Sequence, residues 1–217
     1  MARLETAEIP APHGALEGLL RMPDITSPVR MAALVCHPHP LGGGTMHNKV
    51  VFRIAQALGD LGFPVLRFNF RGVGRSTGRY DGGNGESEDT RTALDELARR
   101  FPQLPLCLAG FSFGSWVGLP VGCGDPRVHQ LIGVGVPVAT LMTDTLPNCF
   151  KPKLIVQGTQ DEHGSWEKLE HVVARMAGET RLEFVSDADH FFAGRLDQVD
   201  RAISSWLTER HPELAKL

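Results

Sequence analysis

The chain has 217 residues, a formal net charge of −3, 42% hydrophobic residues and 22% charged residues. This composition is typical of a globular protein, and the length suits one domain over residues 1–217. The weak charge, the lack of a basic run and the lack of an apolar run of membrane length argue against nucleic acid and membrane as partners.

The N-terminus and the cysteines bear on the location of the protein. Residues 1–6 lack the apolar core of a secretory signal peptide, so none is expected. The four cysteines form no C-x-x-C pair, and Cys36 and Cys107 lie in apolar runs, where cysteine is usually a small buried hydrophobe. We therefore infer a reducing cytoplasm.

Strand-like and helix-like segments alternate along the chain. Residues 3–22 predict an antiparallel strand pair with its turn at 10–14. Six later apolar runs have the length of strands: 31–36, 65–70, 106–111, 131–136, 154–156 and 182–185. Apolar residues recur at helical spacing in four segments: 51–61, 94–101, 166–176 and 192–206. Gly178 is a candidate C-cap for the third of these helices.

This alternation predicts an α/β fold. We expect a mainly parallel central sheet, an antiparallel N-terminal strand pair and helices on both faces. Ligands on such sheets bind beyond the carboxyl ends of the strands. The residues that follow each strand are therefore the candidates for function.

The loop after the first long strand, residues 37–48, contains three consecutive glycines at 42–44. Glycines leave the backbone free to aim N–H groups at a ligand, as an oxyanion hole requires. We favour the N–H of Leu41 as a donor, with Gly42 second, because Pro38 and Pro40 have no N–H.

Three histidines of the same loop, His37, His39 and His47, could suggest a metal site. The interleaved prolines and the lack of nearby carboxylates argue against one. We expect no metal and no cofactor, and we expect His37 and His39 to hold the loop by hydrogen bonds.

The next strand is followed by a glycine-rich stretch, residues 69–78. Its glycine spacing is neither that of a dinucleotide-binding loop nor that of a P-loop. We interpret it as a tight turn under the site. Arg71 and Arg75 remain candidates for binding an acidic substrate group.

The strongest motif is the G-x-S-x-G of residues 110–114, which has a strand before it and a helical pattern after it. In this context a sharp strand-to-helix turn lifts the hydroxyl of Ser112 out of the sheet. Ser112 is therefore the candidate nucleophile, and the N–H of Phe113 a candidate oxyanion donor. The alternative is a serine that only caps the helix.

A serine hydroxyl needs a base, and a histidine base needs a carboxylate to orient it. Asp161 and His190 each follow a later strand, which gives the serine–acid–histidine chain order of α/β-hydrolases. Glu162, Asp187 and Asp189 are rivals of Asp161. For His190 the alternative is a helix-capping or surface histidine.

The chain resembles the α/β-hydrolase superfamily, in its dienelactone-hydrolase-like branch of serine hydrolases. The stretches that carry the resemblance are spread along most of the chain: 37–50, 67–76, 110–114, 158–161 and 189–192. It implies Ser112 as nucleophile, Asp161 as acid and His190 as base. True dienelactone hydrolases have cysteine at the elbow, so the serine here favours ester hydrolysis.

Only residues 138–152 separate the strand that follows the elbow helix from the next strand. That segment is too short for the lid of many lipases, so we expect an open site that suits small or short-acyl esters. Five apolar residues could line an acyl site or belong to the core: Phe111, Phe113, Trp116, Met142 and Phe191.

The sequence therefore predicts a carboxylesterase-type serine hydrolase that forms an acyl-enzyme on Ser112 and acts on a small-molecule ester. A thioesterase, an acyltransferase or a peptidase would use the same three residues. A binding protein that keeps the fold without catalysis is a further alternative. A homodimer is possible, because nothing in the sequence decides the oligomeric state.

Overall fold

The structure is a computed structural model that describes residues 3–23, 29–138 and 146–216. Its strands are β1 (Arg3–Ala11), β2 (Gly14–Met22), β3 (Ala32–Cys36), β4 (Val65–Phe68), β5 (Leu106–Phe111), β6 (Val128–Val134), β7 (Lys153–Gly158) and β8 (Thr180–Val185). Its α-helices are α1 (Lys49–Asp60), α2 (Asn84–Arg100), α3 (Phe113–Gly124), α4 (Trp166–Val173) and α5 (Leu196–Arg210). Short 3₁₀ segments cover Pro40–Gly42 and Pro212–Lys216.

All eight strands form one sheet in the order β1-β2-β4-β3-β5-β6-β7-β8. The pairs β1–β2 and β2–β4 are antiparallel, and every other neighbouring pair is parallel. The predicted mainly parallel sheet with an antiparallel N-terminal pair is therefore confirmed. Cys36 at the end of β3 lies beside Gly110 of β5, so the loop after β3 begins next to the G-x-S-x-G turn.

Helices cover both faces of the sheet, as predicted. On one face, α1 and α5 bury their apolar stripes with side chains such as Ile54 and Trp206. On the other face, α2, α3 and α4 do so with side chains such as Leu94, Val117 and Leu169. Removal of these stripes from water is the main force that holds the helices to the sheet.

Several helix bounds differ from the prediction, and α2 begins at Asn84, ten residues before the predicted segment 94–101. The last helix begins at Leu196, because Phe192 has a φ of +53° and lies buried in the turn before it. Gly178 is not the C-cap of α4, since that helix ends at Val173 with Ala174 as its cap. Gly178 has a φ of +72° and packs closely against the backbone of Phe150, which explains why a glycine stands there.

Cysteine pairing also differs from the prediction. Cys36 and Cys107 are free and buried, and burial raises the pKa of each thiol to about 12. Cys123 at the end of α3, however, forms a disulfide with Cys149, 26 residues further along the chain. Disulfides are rare in reducing compartments, so the cysteines do not support the inferred reducing cytoplasm. Among the described residues, no helix is long and apolar enough to cross a membrane.

Candidate active site

The turn between β5 and α3 holds Ser112 in a strained conformation. Its φ of 53° and ψ of −119° are rare for a residue with a side chain. The flanking glycines make the turn possible: a Cβ at Gly110 would overlap the backbone of Gly114, and a Cβ at Gly114 would overlap the carbonyl of Cys36. The turn therefore places the Ser112 hydroxyl beyond the carboxyl end of the sheet, as the motif predicts.

Ser112, His190 and Asp161 come together in one hydrogen-bonded chain, although they lie far apart in the sequence. Ser112 Oγ is 2.9 Å from His190 Nε2, and His190 Nδ1 is 2.8 Å from Asp161 Oδ2. A carboxylate oxygen accepts, so Nδ1 carries the proton and Nε2 is left to accept the serine O–H. Both His190 and Asp161 are about 95% buried. A histidine ring held by a carboxylate in this way is oriented to accept the proton of the serine hydroxyl.

The rivals of Asp161 lie elsewhere. Glu162 is exposed and lies near His163, and Asp189 accepts the N–H groups of Phe191 and Ala193 in the turn after β8. Asp187 has a φ of +55°, and its N–H donates to Thr159.

The structure adds two residues to this chain that no motif indicated. Gln157 donates from Nε2 to Asp161 Oδ2 at 2.8 Å, and the N–H of His163 donates to Asp161 Oδ1 at 2.9 Å. The His163 ring also packs edge-on against His190, with centroids 4.5 Å apart. A polar residue in an otherwise apolar strand run was the only sequence signal for Gln157.

The loop after β3 does not offer the N–H groups that the sequence suggested. The Gly42 N–H donates to the carbonyl of His39 at 3.0 Å, which corrects its expected place in an oxyanion hole. The Leu41 N–H points to His39 Nδ1 at 3.2 Å, and the Leu41 side chain is exposed. The N–H of His39, in contrast, makes no hydrogen bond within the part of the chain that the structure describes.

His39 lies next to Phe113, the residue after Ser112, and their rings are 4.8 Å apart. Phe113 is the first residue of α3, and the first N–H groups of a helix have no partner within it. The positive end of the α3 dipole lies at this same N-terminus, next to Ser112. Among the residues that the structure describes, the backbone N–H groups of His39 and Phe113 therefore donate no hydrogen bond.

His37 and His39 hold the loop by hydrogen bonds, as predicted. Buried His37 donates from Nδ1 to the Pro38 carbonyl at 2.6 Å and accepts the Phe70 N–H at Nε2. Its burial lowers its pKa to about 4, so the ring is neutral. His39 accepts from Leu41 at Nδ1, so its Nε2 carries the proton and donates to the Tyr80 hydroxyl. Within residues 3–23, 29–138 and 146–216, no group of histidine, cysteine and acidic side chains could hold a metal ion.

Arg71 and Arg75 are both paired with carboxylates. Arg71 forms a bidentate bond with buried Asp89, and Arg75 bonds to Glu17. These pairs fix the glycine-rich turn after β4 to α2 and β2, which agrees with its interpretation as a packing turn. The contacts give no support to substrate binding by either arginine.

Apolar side chains pack around His190 and around Phe113, the residue after Ser112. Phe111 and Phe113 are buried, and the Phe111 ring packs 5.1 Å from the His190 ring. Trp116 packs on Phe113, while Phe191 is 56% exposed beside His190. Met142 lies outside the described residues. The connection from β6 to β7, residues 135–152, is too short to hold a lid domain.

The sequence of the chain is similar to that of alpha/beta hydrolases. The sequence profile of the alpha/beta hydrolase domain matches residues 31–209. An uncharacterised protein of Rickettsia prowazekii is 37% identical over 205 residues, which is 90% of this chain and 85% of that protein. The mitochondrial palmitoyl-protein thioesterase ABHD10 of Homo sapiens is 27% identical over 67% of this chain and 46% of that protein.

Solved structures agree with this match. An alpha-beta serine hydrolase homologue from Coxiella burnetii is 39% identical, with a TM-score of 0.85 over 94% of this chain and 97% of that one. A serine hydrolase without a lid from Xanthomonas campestris, XC6422, is 32% identical, with a TM-score of 0.87 over 96% of this chain and 94% of that one. The second of these structures is described as lacking a lid, which agrees with the short connection from β6 to β7 in this chain.

Proposed function

The chain belongs to the alpha/beta hydrolase domain family, and we propose that it is a serine hydrolase of the carboxylesterase type. The observation that carries the proposal is the unbroken chain from Ser112 Oγ through the His190 ring to Asp161 Oδ2. Such a chain has a specific chemical use: it makes a weakly nucleophilic hydroxyl reactive toward a carbonyl carbon.

In the first half-reaction, Ser112 Oγ bonds to the ester carbonyl carbon while its proton passes to His190 Nε2. Asp161 keeps the ring in place through Nδ1 and stabilises the imidazolium. The carbon–oxygen bond to the alcohol then breaks, and Nε2 gives its proton to the departing alkoxide. In the second half-reaction, water gives its proton to His190 and attacks the acyl-enzyme, which releases the acid and restores Ser112.

The carbonyl oxygen becomes negative in each tetrahedral intermediate, and two N–H groups serve it in this proposal. One is the N–H of Phe113 at the start of α3, as expected from the motif. The second is the N–H of His39 in place of Leu41, because the Leu41 N–H already has a partner in the His39 ring. Neither has to give up a hydrogen bond to another described residue.

The substrate class follows from the shape of the site. With no lid domain, and with the side chains of Leu41 next to His39 and of Phe191 next to His190 both exposed, the site is open to small esters with short acyl chains. Small ester substrates are therefore the proposed partners, with neither nucleic acid nor membrane. The homodimer remains a prediction, as does the cytoplasmic location, for which the disulfide is contrary evidence.

Thioester hydrolysis is a second candidate function. It is favoured by the similarity to a palmitoyl-protein thioesterase, which covers two thirds of this chain. The same three residues would cleave a carbon–sulfur bond with a thiolate as the leaving group. Acyl transfer and peptide hydrolysis also remain compatible with them, as does a binding role without catalysis.

The test of the proposed function is hydrolysis of p-nitrophenyl acetate by the wild type and by the variant Ser112→Ala. Ser115→Ala is the matched control, since Ser115 lies one turn along α3 and its hydroxyl donates to the Ser112 carbonyl, away from His190. We expect loss of turnover only in Ser112→Ala. Wild-type rates in that variant would refute the assignment. Oxygen esters and thioesters of the same acyl chain, from acetyl to palmitoyl, then separate the two candidate functions.

A further inference from the structure

We propose that Gln157 is a positioning residue that holds both the acid and the base of the site. This inference rests on the catalytic role proposed above for Asp161 and His190. Gln157 is the penultimate residue of β7 and is fully buried. A buried amide needs hydrogen-bond partners for its N–H groups and its oxygen, so the partners of Gln157 indicate its role.

On one side, the Gln157 amide fixes the carboxylate. Its Nε2 is 2.8 Å from Asp161 Oδ2, the same oxygen that receives the Nδ1 proton of His190. With the N–H of His163 on Oδ1, the carboxylate accepts three hydrogen bonds from three directions. Those bonds fix the plane of the carboxylate, and with it the direction in which His190 points.

On the other side, the same amide fixes backbone that touches the base. Gln157 Oε1 accepts the N–H of Val136 at 2.8 Å. Val136 follows Gly135, which lies against the imidazole: a Cβ on Gly135 would be 3.4 Å from His190 Cε1. Gln157 therefore supports His190 through Asp161 on one side and through the backbone of Gly135 on the other.

Glutamine suits this position because it donates and accepts at once and carries no charge. A carboxylate here would bring its lone pairs against those of Asp161. An apolar side chain would leave the Val136 N–H and one Asp161 contact without a partner. Nε2 also lies 3.4 Å from the Gly164 carbonyl, and a Cβ on Gly164 would overlap the amide, so the turn from Asp161 to Gly164 is packed on Gln157.

The expected effect falls on the chemical step. Since Gln157 has no exposed surface, it does not touch substrate, and its loss should leave KM nearly unchanged. Misalignment of the base by a fraction of an ångström should lower kcat by about 10- to 100-fold. A merely structural glutamine would lower stability without changing kcat of the folded enzyme.

The experiment compares Gln157→Met with Gln130→Met. Gln130 is also buried in a strand, but its amide contacts Met31 and His211, away from Ser112, Asp161 and His190. For each folded variant we would measure kcat and KM, and the proton NMR signal of the His190 Nδ1 proton. A proton held between an imidazole and a carboxylate resonates far downfield of the amide protons.

Loss of kcat together with a shifted or broadened downfield signal in Gln157→Met, and neither change in Gln130→Met, would support the proposal. Wild-type kcat and an unchanged signal in Gln157→Met would overturn it. Where Gln157→Met does not fold, Gln157→Asn replaces it, because it keeps an uncharged amide but is one methylene too short to reach both Asp161 and Val136. Wild-type behaviour there would also overturn the proposal. If the wild type has no hydrolase activity, the proposed function fails, and the NMR comparison still decides whether Gln157 positions His190.

Discussion

The imidazole of His39 accepts the backbone N–H of Leu41, with Nδ1 and N 3.2 Å apart. This bond takes one donor away from the loop after β3. Among the described residues, the N–H of His39 itself has no acceptor, and the His39 ring lies beside Phe113. His39 has a φ of −53°, a value that proline also adopts. Its backbone N–H can therefore be removed by substitution.

We expect His39→Pro to lower kcat/KM by about 100- to 1,000-fold, the usual cost of an oxyanion-hole donor. His39→Ala is the control, because it loses the ring and its bonds to Leu41 and Tyr80 but keeps the N–H. Its loss should be much smaller. Steady-state kinetics on a p-nitrophenyl ester measures both, and equal losses would rule out the His39 N–H as a donor.

Buried His37 should make the protein less stable in acid. Its pKa of about 4 in the folded state lies below the ordinary value of 6.5, so the unfolded chain binds a proton that the folded chain does not. The stability that the neutral His37 ring contributes is fully present above pH 6.5 and is lost as the pH falls toward 4. The loss in unfolding free energy is about 3 kcal/mol in all.

Urea unfolding between pH 7 and pH 4 measures this effect. His37→Gln should flatten the dependence, whereas His47→Gln, an exposed residue of the same loop, controls for the removal of a histidine. The same slope in His37→Gln as in the wild type would be evidence against the assignment.

The disulfide between Cys123 and Cys149 should stabilise the fold. It closes a loop over a sequence separation of 26 residues, which corresponds to about 3 to 4 kcal/mol of chain entropy in the unfolded state. The double variant Cys123→Ala/Cys149→Ala should therefore unfold at a lower urea concentration than the wild type. Reductant should lower the urea midpoint of the wild type to a similar value. If reductant leaves the wild-type urea midpoint unchanged, the disulfide does not form in solution.

Gly114 should tolerate no side chain. A Cβ there would overlap the carbonyls of Cys36 and His37, which belong to rigid backbone at the end of β3. We expect Gly114→Ala to cost about 2 kcal/mol or more in unfolding free energy. Gly124→Ala, at the open end of the same helix, should cost little because its Cβ would meet nothing within 4 Å. Similar losses in the two variants would contradict the packing described for the turn.

Local patterns predicted much of this structure. The positions of Ser112, Asp161 and His190 after three separate strands could be predicted, because parallel strands bring their carboxyl ends to one edge. The strand and helix periodicities likewise indicated the sheet and its two helical faces. Such features depend on the order of strands and helices and not on particular side-chain contacts between distant segments.

Other features depend on contacts that no local pattern encodes. The sequence favours the Leu41 N–H as an oxyanion donor, but the fold of the loop turns the His39 ring toward that N–H and gives it an acceptor. The pairing of Cys123 with Cys149 requires the end of α3 to meet the segment before β7. Gln157 carries no motif, and its importance follows only from the approach of Val136 and Asp161 to one amide.

The proposed function requires Ser112 to be an activated nucleophile. The most direct test is the intact mass of the folded protein after incubation with a fluorophosphonate, with Ser112→Ala treated alongside. We predict one covalent adduct on the wild type and none on the variant, because only a serine deprotonated by His190 attacks phosphorus at a useful rate. An unlabelled wild type, or a variant that is labelled equally, would contradict it and favour a binding protein.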